Sequence, residues 1–114
     1  MLKIYGIPNC DTVKKARAWL ETNGVEYQFH DFKKDGLSEA QLEKWLKIIG
    51  WQILLNKRGT TYRQLPDKEK LALNEDKVKK LMLIQPALIK RPVVETDKTT
   101  FVGFNEADFK AINK

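Results

Sequence analysis

Cysteine and histidine are almost absent from this chain, since Cys10 and His30 are the only examples among 114 residues. A single cysteine excludes a disulfide within the chain, and one cysteine with one histidine is too few for a Cys/His zinc cluster built from this chain alone. A disulfide-stabilised scaffold is therefore excluded, and we expect a reducing, cytoplasmic compartment. His30 falls in a predicted strand, where we interpret it as a structural residue.

Long hydrophobic runs and several binding motifs are missing too. No apolar run reaches the roughly 18–20 residues of a transmembrane helix, and the opening Met-Leu-Lys-Ile-Tyr-Gly does not resemble a signal peptide. No block of lysine or arginine and no aromatic RNA-binding pattern occurs, which argues against a nucleic-acid partner. The lack of a membrane-spanning apolar run predicts no membrane partner. Because nucleotide, flavin and metal motifs are also absent, we expect no bound cofactor.

The composition that is present, 42% hydrophobic and 32% charged, is typical of one globular domain. The net charge is +6, and the surplus of positive charge lies between Asn56 and Arg91, a segment that contains ten basic and four acidic residues. These charges form either a solvated surface or a basic rim beside an anionic ligand. The solvated interpretation is the one we assign to Arg63, Lys77, Lys79 and Lys80.

The N-terminal third of the chain predicts a strand, a helix and a second strand. Residues 2–5 are a short β-prone run, and a run with helical period follows Cys10. Gly24 closes that helix, because glycine suits the left-handed position past a helix end. Residues 27–32 alternate as a second strand, so the segment predicts a βαβ unit with parallel strands.

Capping residues mark further helix starts. Ser38, with Gln41 at the third helical position, has the pattern of a capping box. Asn74 and Asn105 are the other predicted N-caps. Residues 51–73 are less regular.

Two β-rich pieces, residues 92–96 and 99–102, are separated only by Asp97 and Lys98. So short a connection predicts an antiparallel hairpin. The order of elements is thus βαβ, several helices, ββ and a final helix, which predicts an α/β fold.

Cys10 lies at the start of the first predicted helix. A lone cysteine is often a small buried hydrophobe, but unpaired amides and the positive end of the helix dipole favour a thiolate at this position. The neighbouring Pro8 and Asn9 are turn-forming residues rather than the apolar neighbours of a core cysteine. Asp11 would oppose the thiolate if its carboxylate pointed toward the sulfur.

Three segments in order resemble one family. Gly-Ile-Pro-Asn-Cys-Asp-Thr at 6–12, Leu-Asn-Lys-Arg-Gly-Thr at 55–60 and Leu-Ile-Lys-Arg-Pro at 88–92 are similar to the arsenate reductase (ArsC)/Spx family, above all to its YffB branch. The resemblance covers nearly the whole chain. It implies a single thioredoxin-like domain over 1–114, with a four-stranded mixed sheet and a helical insertion at about 37–85. It also implies a cis peptide bond before Pro92, whereas the alternative is a trans proline that starts an edge strand.

The resemblance also implies the site. Cys10 would be the nucleophile, and Arg91 would stabilise its thiolate and hold an oxyanion or a carboxylate. The alternative for Arg91 is a surface arginine at a strand start. Further residues predicted to contact the substrate are Asn9, Asp11, Thr12, Arg58 and Pro92.

The chain departs from the family pattern at informative positions. Arsenate reductases of the family hold the oxyanion with three arginines, of which this chain keeps Arg91, while Asn56 and Gly103 stand at the other two positions. Two lost contacts of about 1.5–3 kcal/mol each weaken oxyanion binding by roughly two to four powers of ten, unless Arg58 compensates. Spx regulators carry a Cys-x-x-Cys switch, whose second position here is Val13.

These departures favour a thiol oxidoreductase that forms a mixed disulfide and is resolved by an external thiol, with glutathione as co-substrate. One alternative is an arsenate reductase coupled to glutathione and glutaredoxin. The other is a non-catalytic, Spx-like regulator that binds RNA polymerase.

Overall fold

The computed structural model describes residues 2–112. The fold divides into two compact units, of which one contains the chain up to Gly36 and again from Arg91 onward, and the other is Leu37–Lys90. The second unit begins where the predicted insertion begins and extends beyond its predicted end at residue 85. That residues 1–114 form one domain stays a prediction. Within the described residues, no helix has the length and apolar character needed to cross a membrane.

The strands of the first unit form one sheet. They are β1 (Leu2–Gly6), β2 (Tyr27–Asp31), β3 (Val93–Glu95) and β4 (Thr100–Val102). The strand order is β2-β1-β3-β4, in which β1 and β2 run parallel and the other neighbouring pairs run antiparallel. This arrangement confirms the predicted four-stranded mixed sheet of the thioredoxin-like class.

Helices connect and follow these strands. The described residues form α1 (Asp11–Thr22), α2 (Phe32–Asp35), α3 (Glu39–Ile49), α4 (Trp51–Leu54), α5 (Thr60–Arg63), α6 (Glu75–Ile84) and α7 (Glu106–Ala111), with 3-10 turns at Asp67–Lys70 and Pro86–Leu88. The strand predicted over 27–32 ends one residue early, because the Asp31 side chain accepts hydrogen bonds from the next amides and caps α2. The irregular region 51–73 resolves into short helical pieces.

The core of the first unit lies between one face of the sheet and helices α1 and α7. Its buried members are Leu2, Ile4, Ala16, Leu20, Val94 and Phe109. The fully buried ring of Phe109 packs edge-on against Trp19, Phe101 and Phe104, with centroid distances of 5.5, 5.8 and 4.8 Å. This packing fixes α1 on the sheet and thereby sets the position of its first turn.

All three predicted N-caps are confirmed. The side chains of Ser38, Asn74 and Asn105 each accept the amide hydrogen three residues on, at 3.1, 2.9 and 2.8 Å. These contacts satisfy amides that have no partner within the helix. The caps therefore set where α3, α6 and α7 begin.

Two lysines between Asn56 and Arg91 make surface contacts that the sequence did not predict. Lys77 donates from Nζ to the carbonyl oxygens of Lys68 and Leu71 at 3.3 and 2.8 Å. Lys79 pairs with Glu43. Their ammonium groups tie α6 to neighbouring segments at the protein surface. The predicted solvated position is confirmed for Arg63 and Lys80, which are exposed.

Candidate active site

Cys10 is the N-cap of α1, in the loop that leaves the end of β1. Its backbone is extended, with φ −134° and ψ 125°, and its carbonyl oxygen accepts the amide hydrogen of Lys14 at 2.9 Å. The thiol is half-buried. The sulfur therefore lies beside the free amides of the first helical turn, as the sequence predicts.

Four influences act on the Cys10 sulfur, and their balance lowers its pKa. Burial has the largest effect and raises the pKa, but the amide of Val13, the hydrogen bond and charge of Arg91, and the amide of Thr12 together outweigh it. The side chain makes no capping hydrogen bond of standard geometry, so the amides act as nearby oriented dipoles. The result is a thiol that ionises more readily than an ordinary cysteine.

Arg91 reaches Cys10 from the start of β3. The side chain is half-buried, with Nε fully buried, and the Arg91–Pro92 peptide bond is cis. The predicted cis bond is thus confirmed, and the alternative of a trans proline is wrong. The buried Pro92 is held by its carbonyl oxygen, which accepts the amide hydrogen of Gly103 at 2.8 Å.

The other loop residues predicted for the site surround Cys10 along the chain. Asn9 and Asp11 are exposed, and Thr12 is half-buried. Thr12 acts on the sulfur through its backbone amide. The Asp11 carboxylate, which would oppose a thiolate if it pointed toward the sulfur, is not among the groups that shift the Cys10 pKa. Substrate contacts by these residues stay predictions.

Arg58 lies in the second unit, within a turn built by Asn56. The Asn56 side-chain oxygen accepts the amide hydrogen of Arg58 at 3.2 Å, and the Asn56 amide donates to Leu88 at 2.8 Å. Arg58 itself is exposed. Asn56 therefore has a structural role in a turn, and the anion contact of Arg58 stays a prediction.

Val13 is the residue that sequence reasoning missed for the site, because its side chain was considered and its backbone amide was not. Its amide makes the largest single contribution that lowers the Cys10 pKa, ahead of the hydrogen bond and the charge of Arg91 taken separately. The signal was present in the sequence, since the third residue after an N-cap directs its amide toward the cap side chain.

His30 is structural, as predicted. It lies in β2, with its ring 5.0 Å from that of Tyr5 and its Nε2 2.7 Å from the carbonyl oxygen of Gly36. The Tyr5 hydroxyl donates to Glu95 at 2.7 Å, and burial together with this carboxylate raises the Tyr5 pKa. Among residues 2–112 no cluster of three potential metal ligands occurs.

Comparison with known proteins bears on this site. The model of the ArsC family matches residues 5–112. The solved structure named YffB (PA3664) has a TM-score of 0.94 and 46% identity, covering 98% of both chains. A solution structure of an arsenate reductase (ArsC) related protein from Brucella melitensis has a TM-score of 0.80 and 48% identity, covering 99% of this chain and 94% of that one.

The similarity extends to proteins with another kind of role. The global transcriptional regulator Spx of Lactiplantibacillus plantarum is 29% identical over 113 residues, which cover 96% of this chain and 84% of the regulator. Proteins similar to this one thus include both reductase-related chains and regulators.

Proposed function

Because this chain belongs to the ArsC family, in its YffB-like branch, as its motifs predict, we propose that it is a thiol oxidoreductase with Cys10 as nucleophile. The observation that carries the proposal is the environment of the sulfur, where helix amides and Arg91 together lower the thiol pKa despite burial. A thiolate, and not a thiol, attacks disulfides. Arg91 is the residue we assign to hold the thiolate.

The first step uses that thiolate on a mixed disulfide between a substrate thiol and glutathione. Cys10 attacks the glutathione sulfur, a new disulfide forms between Cys10 and glutathione, and the substrate leaves as its thiolate. Arg91 stabilises the Cys10 charge before the attack. Asn9, Asp11, Thr12 and Pro92 would line the place where the glutathionyl group lies.

The second step requires a thiol from outside the chain, because Cys10 is the only cysteine in the sequence. The thiolate of a second glutathione attacks the glutathione sulfur of the mixed disulfide with Cys10. Oxidised glutathione leaves, and the Cys10 thiolate is regenerated. In sum, the glutathionylated substrate and one glutathione give the substrate thiol and oxidised glutathione. The proton that the second glutathione loses goes to the substrate thiolate. Glutathione is a co-substrate here, and a carboxylate of glutathione suits the guanidinium of Arg91.

Arsenate reduction is the less favoured activity. Only Arg91 remains of the three arginines that hold the oxyanion in the family's arsenate reductases. Gly103 has φ +83°, a conformation in which an arginine side chain is strained. The Asn56 side chain is engaged in a turn, where its oxygen accepts the amide hydrogen of Arg58. These observations argue for a thiol substrate over an oxyanion.

A coupled assay tests the proposal. Reduction of a glutathionylated peptide, followed through oxidised glutathione and NADPH consumption by glutathione reductase, should require Cys10 and fall roughly three- to ten-fold in Arg91→Gln. Lys110→Gln also removes one positive charge, from an exposed position on α7, and should leave the rate unchanged. Intact mass after exposure to oxidised glutathione should give one glutathionyl adduct that Cys10→Ser lacks.

Other outcomes would select another function. Arsenite production dependent on Cys10, glutathione and glutaredoxin would favour arsenate reductase instead. Retention of every cellular role in Cys10→Ser, together with capture of RNA polymerase, would favour a regulator like the Spx relative.

A further inference from the structure

Gly6 lies where the two groups that activate Cys10 meet the end of β1. The residue is buried. A Cβ atom placed on it would lie 2.9 Å from Cγ2 of Val13 and 3.8 Å from Cβ of Arg91. Gly6 therefore lies next to both the residue whose amide faces the Cys10 sulfur and the residue whose guanidinium binds that sulfur, with no room for a side chain on the Val13 side.

The two neighbours would respond differently to a side chain at this position. A distance of 3.8 Å to Arg91 is ordinary van der Waals contact, whereas 2.9 Å to Val13 requires a displacement. Val13 is fully buried, and its β-branched side chain has essentially one rotamer in a helix. The strain would therefore pass to the backbone of the first turn of α1, which carries the amides of Thr12 and Val13.

We propose that Gly6 is a positioning residue for Cys10, because its missing side chain lets the first turn of α1 approach β1 closely enough to bring Cys10 and Arg91 into contact. The role is steric, since Gly6 offers no chemical group to the substrate. The inference rests on the proposed function, because Gly6 is proposed to position the same Cys10 thiolate that acts as the nucleophile.

Gly6→Ala is the direct test. A displaced first turn weakens the interactions of the sulfur with the Val13 amide and with Arg91, so we expect the Cys10 pKa to rise by about one unit, which is ten-fold less thiolate below that pKa. Because the chain has one cysteine, the rate of alkylation against pH reports this pKa without interference. Folding is checked by circular dichroism, with sucrose added where the variant is unstable.

Two further variants separate positioning from simple destabilisation. Gly24→Ala is the matched control, because Gly24 has φ +67° and its added Cβ meets nothing within 4 Å. It should lower stability through backbone strain and leave the Cys10 pKa unchanged. Val13→Ala removes Cγ2, the atom that the new Cβ at position 6 would approach too closely. The double variant Gly6→Ala/Val13→Ala should therefore have the same Cys10 pKa as the single variant Val13→Ala. The double variant and the single variant should both be less stable than wild type.

The outcomes are distinct. A wild-type Cys10 pKa in folded Gly6→Ala would overturn the role of Gly6 and leave the proposed function intact. A double variant with a pKa above that of Val13→Ala would also overturn it, and this comparison decides the matter if Gly6→Ala does not fold. An unactivated pKa in the wild-type protein would instead count against the proposed function itself.

Discussion

Replacing Arg91 by glutamine removes the charge that faces the Cys10 sulfur and leaves a neutral amide on a shorter side chain. We expect the Cys10 pKa to rise, because the hydrogen bond and the charge of Arg91 both lower it in the wild-type protein. Arg91→Lys is the matched control, since lysine keeps the positive charge but lacks the planar guanidinium with its several N–H donors. Its Cys10 pKa should lie between the other two.

The magnitude follows from the partial burial of the pair. A hydrogen bond to a charged group contributes about 1.5–3 kcal/mol when it is shielded from water. Cys10 and Arg91 are each only half-buried, and solvent screens such pairs, so we expect about half of that range. The shift is then about 0.5–1 pKa unit, because one unit corresponds to about 1.4 kcal/mol.

Alkylation by iodoacetamide measures this shift, since only the thiolate reacts at an appreciable rate. At about pH 6.5 the variant should react roughly three- to ten-fold more slowly than wild type, while the rates converge well above the ordinary cysteine pKa of about 8.5. Equal rate profiles for wild type and Arg91→Gln would refute the assignment of Arg91 as the electrostatic partner.

The same interaction makes the free energy of unfolding depend on pH. The folded protein has a lower Cys10 pKa than the unfolded chain, so the thiolate stabilises the fold fully above the unfolded pKa of about 8.5, and this contribution is lost as the pH falls through the folded pKa. The stability difference between wild type and Arg91→Gln should thus be larger at about pH 9 than at about pH 5.5. Urea denaturation at the two pH values measures it, and a constant difference would contradict the linkage.

Three predictions concern the scaffold. Asn74→Ala should lower the free energy of unfolding by about 1 kcal/mol, because the side chain no longer accepts the amide hydrogen of Lys77, while Asn74→Asp should restore most of it in chemical denaturation. Phe109→Ala should cost about 3–5 kcal/mol by the same measurement, since its ring is fully buried against three others; a loss below about 1 kcal/mol would argue against the described core. In a spectroscopic titration, Tyr5 should stay protonated above the ordinary tyrosine pKa of about 10, and Tyr5→Phe should remove the phenol that ionises above that value. The stabilising contact with Glu95 should persist below about pH 10 and be lost as the pH rises further.

Local signals predicted where three of the helices begin. Ser38, Asn74 and Asn105 cap helices because a short polar side chain reaches amides only three residues away, so the pattern carries its own geometry. The sequence failed where partners are distant along the chain. Lys77 was assigned to solvated surface, but it binds the carbonyls of Lys68 and Leu71, which no periodicity reveals.

The short helices of region 51–73 were equally hard to predict. They are only four residues long, so they contain too few positions for a helical period to be recognised. Their existence depends on packing and on turns such as that of Asn56, where one side chain accepts the amide of Arg58.

For Cys10, the sequence by itself determined that a lone thiol begins a helix, because a strand, a turn and a capping position are all encoded within a dozen neighbouring residues. Only the tertiary structure decided that the amide of Val13 and the guanidinium of Arg91 meet at that sulfur and outweigh its burial. The physical reason is that pKa depends on distances in space. Pairing of β1 with β3, and the room left by Gly6, set those distances.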